Sequence, residues 1–254
     1  VRDFLLDRAT DQTDIDLVVE REAMSVARRV ADRLGWAFYP LDADRDVARL
    51  VFNLTTGRSL VCDVAALRGG SLAADLRLRD FTVNAMALSL NEGSRGLLMD
   101  PFNGAADIEN KLLRVIQNYA FLEDPSRLIR ATRFAARFHW PLEERTQQRY
   151  DSARENNYID HVSHRALGHE IEQLAYEDDP LNIIKVLEKE GWLKVLHPHW
   201  AVAKVDSNGL AQLMKTRQQM NELGYTPDPA AAVIYFLTAR MGDKDIADMR
   251  RAIL

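Results

Sequence analysis

One cysteine, Cys62, stands among 254 residues. No disulfide can form within the chain, and the simple expectation is a reducing cytoplasm, with Cys62 as a small buried apolar residue. Long apolar runs are missing too. Nothing approaches the uninterrupted length of a membrane helix, so no membrane partner is expected. No leader with a basic head and an apolar middle opens the chain. Tandem repeats and low-complexity tracts are absent, and the 47% hydrophobic and 28% charged fractions are those of a globular protein. There is no excess of positive charge: the formal net charge is −5. That sum argues neither for nor against nucleic acid, because a local basic patch disappears in it. Neither end carries a boundary signal. Val1-Arg2-Asp3 begins mid-pattern and Ala252-Ile253-Leu254 stops without a helix-ending residue, so a fragment of a longer chain is expected.

What is present divides at about residue 118. Before it, helix and strand patterns alternate. A helical turn at Phe4-Leu5-Leu6 and Asp7-Arg8 leads into a strand at Asp14. An amphipathic helix spans Glu20 to Leu34, with Gly35 as its terminator. Trp36–Tyr39 reads as a strand, and Val47–Leu54 and Leu60–Val64 as a hairpin about Thr55-Thr56-Gly57-Arg58. Apolar runs at Ala85–Leu90 and Leu113–Ile116 predict two further strands, and Ala105–Leu112 a helix. After 118 only helical periods remain. Asp124–Phe138 has Asp124 as its cap and Pro125 at the first position. Further helices are predicted near 145–155, 163–176, 180–190, 209–223 and 229–241, and Trp192, Leu193, Val195 and Leu196 at helical spacing belong to the core. An α+β head followed by an all-helical remainder is the expected organisation.

The chemistry starts at Asp14-Ile15-Asp16. Residues two apart on a strand share a face, so both carboxylates aim at one point while Ile15 and Leu17 face away. Converging carboxylates repel unless they share a proton or a cation, and a hard divalent ion suits them. A polar strand end has the same pattern. Asp63, between Cys62 and Val64, is an acid on an otherwise apolar strand; it sits at an exposed edge or joins the first pair as a third carboxylate. Such clusters with two metals perform in-line phosphoryl or nucleotidyl transfer. Arg79-Asp80-Phe81-Thr82-Val83-Asn84 offers a cation for phosphate and an acid and an amide for ribose hydroxyls, or simply a surface loop. Arg127 and Arg130 share a helix face, and Arg133 and Arg137 extend its basic character. An acid and a guanidinium could read a base edge there, while surface pairs explain the same residues. His197-Pro198-His199 reads as a solvated loop.

Five motifs in order carry a resemblance. They are Val1-Arg2-Asp3-Phe4-Leu5-Leu6-Asp7-Arg8 with Asp14-Ile15-Asp16, then Leu78 to Ala85, then Asp100-Pro101-Phe102-Asn103-Gly104. Glu123-Asp124-Pro125-Ser126-Arg127 and Arg130-Ala131-Thr132-Arg133-Phe134 complete the set. Over roughly residues 1–200 the chain resembles the class II tRNA nucleotidyltransferase and bacterial poly(A) polymerase family, within the DNA polymerase β-like nucleotidyltransferases. The resemblance implies a nucleotidyltransferase head (1–117), a helical neck that recognises the base (118–178) and the start of an RNA-binding helical body (179–254). It implies Mg2+ held by Asp14 and Asp16, with Asp63 as a third catalytic carboxylate near the primer hydroxyl. Arg2, Arg79, Asp80 and Asn84 would bind triphosphate and ribose. Asp124 and Arg127 would hydrogen-bond the edge of CTP or ATP, Glu123 would position Arg127, and Arg130 and Arg133 would contact phosphate. The expected partners are a tRNA 3′ end and CTP or ATP.

The departures are informative. The family's two glycines ahead of V-R-D precede the first residue here, so the chain as it stands is expected to be inactive or nearly so. Asp7 and Asn103 replace glycines, Asn103 at a position suited to a left-handed turn, and Leu78 replaces an arginine. Near Glu170-Ile171-Glu172-Gln173-Leu174 the next family motif is recognisable but out of register by one at Arg165. Only Val64 to Leu78 separate Asp63 from Arg79, with Gly69-Gly70-Ser71 reading as a tight turn. CCA-adding and poly(A)-adding relatives carry a longer flexible loop there, and its loss is characteristic of CC-adding enzymes. The expectation is therefore transfer of CMP from CTP to a tRNA 3′ end. Full CCA addition, A addition, poly(A) tailing, another nucleotidyltransferase and a catalytically silent RNA-binding relative are the alternatives.

Overall fold

The computed structural model describes residues 1–7, 14–53, 59–225 and 227–253, without the side chains of 252 and 253. Arg8, Thr13 and the expected turn at Thr55–Arg58 lie outside the described residues. The chain forms two compact units. The first comprises Val1–Arg79, Val83–Ile108 and Asn221–Thr226, the second Asp80–Thr82, Glu109–Met220 and Pro227–Leu254.

In the first unit, α1 (Arg2–Leu5) precedes β1 (Asp14–Val19), α2 (Ala23–Leu34), β2 (Ala37–Asp42), β3 (Val47–Asn53) and β4 (Ser59–Ala66). Then come α3 (Leu72–Arg77), β5 (Ala87–Leu88), β6 (Leu98–Met99) and α4 (Gly104–Glu109). The four longer strands make one mixed sheet in the order β1-β4-β3-β2, with β1 parallel to β4 and the other pairs antiparallel. Helix α2 covers one face through Ala23, Ala27 and Ala31, all buried. This stripe of methyl groups at four-residue spacing lets the helix lie close to Ala48, Leu50, Cys62 and Val64. Cys62 is thus a buried free thiol, as expected. The start of α2 is capped from a distance. Asp46, left-handed between β2 and β3, accepts from the backbone N–H groups of Ala23 at 2.7 Å and Met24 at 2.8 Å. Gly35 ends the helix with φ 69°, where a side chain would be strained.

The expected strand Ala85–Leu90 shrinks to the two residues of β5. Ala85 and Met86 are buried outside the ladder, behind a 3₁₀ turn at Thr82–Asn84. Burial accounts for Ala85 and Met86, whereas Leu88 and Leu90 are exposed.

The second unit holds α5 (Ala120–Glu123), α6 (Ser126–Phe138), α7 (Glu144–Glu155), α8 (His164–Gln173), α9 (Pro180–Lys189), α10 (Trp192–Leu196), α11 (Ser207–Glu222), α12 (Ala230–Thr238) and α13 (Asp243–Ile253). Leu128 and Ile129 of α6, Ile171 of α8 and Ile183, Ile184 and Leu187 of α9 are among its most buried side chains. The Trp192 indole N–H donates to Thr132 Oγ1 at 2.9 Å and to the Tyr150 hydroxyl at 3.0 Å, so its polar group is satisfied inside the core. The expected strand at Leu113–Ile116 does not form. Val115 bridges Phe81 and Leu113 bridges Leu142, one contact to each of two segments, so no ladder propagates. Helix α13 was not foreseen.

Gly209 of α11 lies against α12, and a Cβ there would collide with the Phe236 ring and the Asp206 carboxylate. Gly209→Ala should therefore cost about 1–3 kcal/mol through overpacking. Thermal unfolding should show a drop of several degrees; an unchanged midpoint would mean that the two helices part freely.

Candidate functional site

Strand register builds the first group of residues. Asp16 lies opposite Asp63 across β1 and β4, and Asp63 opposite Arg49 across β4 and β3. Partners in register point to the same face, and Asp14, two residues before Asp16, shares it. This is the face away from α2, and Asp14 and Asp16 are exposed on it. Leu17 turns to the core as expected, whereas Ile15 remains 43% exposed. Arg49 clamps Asp63, its Nε 2.7 Å from Oδ1 and its Nη2 2.8 Å from Oδ2. The Asp14 carboxyl sits above the ordinary carboxylate range. Desolvation by the surrounding chain raises it first, Arg49 pulls it down, and Asp16 and Asp63 push it up again.

A second group gathers around the first motif and Arg79. Arg2 donates from Nη1 to Asn84 Oδ1 at 2.6 Å and forks onto Asp3. Arg79 donates to Asp75 Oδ2 at 3.3 Å, and Arg68 Nε approaches the same carboxylate at 3.6 Å. Asp75 is only 3% exposed, so the two cations satisfy a buried acid. It lies on α3, in the stretch read from sequence as a turn alone. Gly69 and Gly70 do turn the chain, with φ 72° and 76°, and Ser71 then caps the helix through the Ala74 N–H. Asp7 and Asn103 take φ 56° and 59°, the left-handed conformation, at both positions where they replace glycine.

The third group lies in the second unit. Glu123, Asp124 and Arg127 are brought together at the start of α6. The Arg127 Nε is 3.6 Å from Asp124 and its Nη1 4.0 Å from Glu123. Asp124 also accepts from the Ser126 N–H and hydroxyl; α6 begins at Ser126 with Pro125, not the expected Asp124, at its N-cap. Arg130 and Arg133 are both engaged with carboxylates. Arg130 bonds Glu170 at 2.6 Å and Asp80 at 3.1 Å, and Arg133 is buried between Glu170 and Glu177. Burial alone would lower the Arg130 pKa; the charges of Glu170 and Asp80 outweigh it and hold that pKa above the ordinary value. Asp80 is likewise occupied by Arg130 and by the Phe81 N–H.

The neighbouring carboxylates of Asp14 and Asp16, on one exposed face, suit a hard divalent cation. Asp63 has both oxygens on Arg49. Among the described residues no three His, Cys, Asp or Glu side chains converge to hold a metal ion. The fit is therefore to the pair rather than to a triad. Sequence reading missed Arg49 and Asp75. Arg49 was available from the hairpin register, and Asp75 had no signal short of its burial. No helix among the described residues is long and apolar enough to cross a membrane.

Residues 1–114 match the model of the poly A polymerase head domain. The chain is 44% identical over 146 residues to the CC-adding tRNA nucleotidyltransferase of Geobacter sulfurreducens, covering 58% of this chain and 32% of that protein. It is 31% identical over 251 residues to the A-adding tRNA nucleotidyltransferase of the same organism, covering 93% and 28%. A crystal structure of a tRNA nucleotidyltransferase complexed with a primer tRNA and an incoming ATP analog superimposes with a TM-score of 0.73 at 28% identity. That match covers 99% of this chain and 73% of the other. The chain spans about three tenths of the length of these two curated relatives.

Two stability measurements follow from the ion pairs. Arg49→Gln leaves three carboxylates on one face without their cation and should cost about 1 kcal/mol at pH 7, allowing for partial exposure. Because Arg49 holds the Asp14 pKa down, its loss raises that pKa further. The penalty should be full above that raised Asp14 pKa and fade as the pH falls through it. A Tm difference that persists at low pH would point to lost packing instead. Arg133→Met leaves Glu170 to Arg130 and Glu177 to Arg137 alone and should cost about 3 kcal/mol in urea unfolding. Adding Glu177→Gln should recover part of that loss. A residue serving only to contact phosphate would leave the midpoint unmoved.

Proposed function

We propose, from the match of residues 1–114 to the poly A polymerase head domain, that the chain transfers CMP from CTP to the 3′ end of a tRNA without a template. The observation that carries this reading is the row Asp16–Asp63–Arg49 with Asp14 beside it, an exposed acidic face on a rigid sheet. In this reading Asp14 and Asp16 hold Mg2+, which when bound neutralises charge at the α-phosphate and makes the primer hydroxyl more acidic. Arg49 holds Asp63 turned toward the same face. Arg2, braced by Asp3 and Asn84, and Arg79, braced by Asp75, meet the triphosphate, while Asn84 lies toward the ribose. The primer hydroxyl gives up its proton to solvent as its oxygen bonds to the α-phosphorus, the bond from that phosphorus to the bridging oxygen breaks, and pyrophosphate leaves with the transferred charge.

Base choice falls to Glu123, Asp124 and Arg127. An aspartate accepts from the exocyclic amine of cytosine or adenine, and a guanidinium donates to the ring nitrogen beside it. Glu123 steadies Arg127. Arg130 and Arg133 act as a brace that fixes this end of α6, not as phosphate ligands. On this reading 118–178 recognises the base and 179–254 begins the RNA-binding body. A single buried thiol favours a cytoplasmic setting.

For CC addition the support is the short run from Asp63 to Arg79. The end of β4, two left-handed glycines and α3 fill it, leaving no long loop. A addition is the second reading, favoured by a likeness to the A-adding relative that runs over nearly the whole chain.

The test uses the chain with two glycines added ahead of Val1, Mg2+, and tRNA transcripts that lack CCA, end in C or end in CC. CTP and ATP are supplied separately. Two additions of C and none of A are expected. Addition of A to the CC-ending transcript would replace the CC reading with the second one. Asp14→Ala should lower incorporation by roughly 100-fold or more, and Arg127→Ala should weaken CTP binding by about 10-fold or more. Incorporation that is absent, or indifferent to Asp14→Ala, would end the enzymatic reading.

A further inference from the structure

Arg145 and Arg149 lie one turn apart on α7, so they share a helix face. Neither has a carboxylate partner among the described residues; the Arg149 guanidinium instead donates to the Asn118 side chain at 2.7 Å. In the same unit Arg130, Arg133, Arg137 and Arg154 are all paired with glutamates. The two unpaired cations border an open cavity of about 540 Å³ between α5, α7 and the turn at Tyr158. Its floor is apolar, with Phe121 and Ala153 buried. Its rim carries Asn118, Tyr119, Gln148 and Tyr158, and Tyr119 is 68% exposed. No acidic residue lines it, in a chain with 38 acids against 33 bases.

Each part of that lining suits one part of a nucleotide. A solvent-facing tyrosine ring offers a stacking platform. Guanidiniums without internal counter-ions attract phosphate, and side-chain amides can bond a base edge or a 2′-hydroxyl. A buried core would hide such a ring and pair such cations. The volume holds a nucleoside, and the open rim lets a strand enter and leave. Duplex RNA keeps its base faces stacked on one another, so only an unpaired strand could use the tyrosine.

We propose that this cavity seats an unpaired nucleotide of single-stranded RNA, stacked on Tyr119 with its phosphates on Arg145 and Arg149. This rests on the reading that the chain acts on RNA, and adds an anchoring point distinct from the Asp124–Arg127 pair.

The experiment measures binding of a fluorescein-labelled 12-nucleotide oligocytidylate to the whole chain by anisotropy, between 50 and 200 mM KCl. The wild type is compared with Arg145→Gln/Arg149→Gln, Tyr119→Ala and Tyr119→Phe. The double variant should bind roughly 10-fold more weakly, and its log-affinity against log-salt slope should be shallower by about 1.4, the share of two single-strand phosphate contacts. Tyr119→Ala should lose about 10-fold and Tyr119→Phe should retain binding, because the ring stacks and the hydroxyl does not. CTP affinity and the circular dichroism spectrum should stay unchanged in all three.

Wild-type affinity and slope in the double variant would overturn the proposal. So would a parallel loss of CTP binding, which would make the cavity part of the reacting-nucleotide site, or equal competition by duplex RNA. If the chain proves unable to incorporate CMP yet the variants lose oligonucleotide binding as described, the enzymatic reading fails and this one stands.

Discussion

A carboxylate stays charged inside a protein only if a cation is brought in with it, and that requirement organises the second unit. Glu170 and Glu177 are each 1% exposed. Arg130, Arg133 and Arg137 recur on one face of α6 and meet Glu170, Glu177 and Asp80, three cations against three carboxylates. Such a network is weak evidence of net stability, since apolar residues could fill the same volume. It is strong evidence of register. Rotating α6 by one residue would swing every guanidinium off its partner and leave charges buried alone. The helix is thereby held in one orientation, and with it Asp124 and Arg127 at its first turn.

The sheet face of the first unit follows the same electrostatics to a different end. There three carboxylates, Asp14, Asp16 and Asp63, act on Arg49. Exposure makes the deficit tolerable, because water screens what protein does not pair. Asp14 has its carboxyl raised, first by desolvation and then by repulsion from Asp16 and Asp63. A site meant to receive a cation has to be left short of one. The buried brace around α6 is fully compensated and can hold a geometry; the row on the sheet is under-compensated and can bind.

How much of this was legible in the sequence depended on how local each cause is. The Asp14-Ile15-Asp16 spacing implied one face, and the strand delivers it. Asn103 was expected to accept the left-handed turn of the glycine it replaces, and it does so with φ 59°. Cys62 was expected in the core and lies there. The stripe Arg127, Arg130, Arg133 and Arg137 could be read from helical period, but its partners could not. Spacing along a helix reports a shared face and says nothing of whether RNA, water or a glutamate some forty residues on lies opposite. At Arg130 and Arg133 the groups opposite are carboxylates. Asp75 escaped notice because two glycines read as a turn, and nothing in that turn announces a buried acid behind it. The run Leu113–Ile116 has the apolar pattern of a strand, yet its pairing is divided between Phe81 and Leu142.

Net charge is the coarsest quantity here and the least informative. A total of −5 conceals a brace whose charges cancel, a sheet face that lacks positive charge, and a cavity in which Arg145 and Arg149 lack negative charge. Over a screening length of about 8 Å at physiological ionic strength, a ligand responds to the local imbalance and not to the sum. An acidic protein can thus favour a divalent cation on one face and a phosphate backbone on another. What each surface attracts is set by which of its charges the fold has left without a partner.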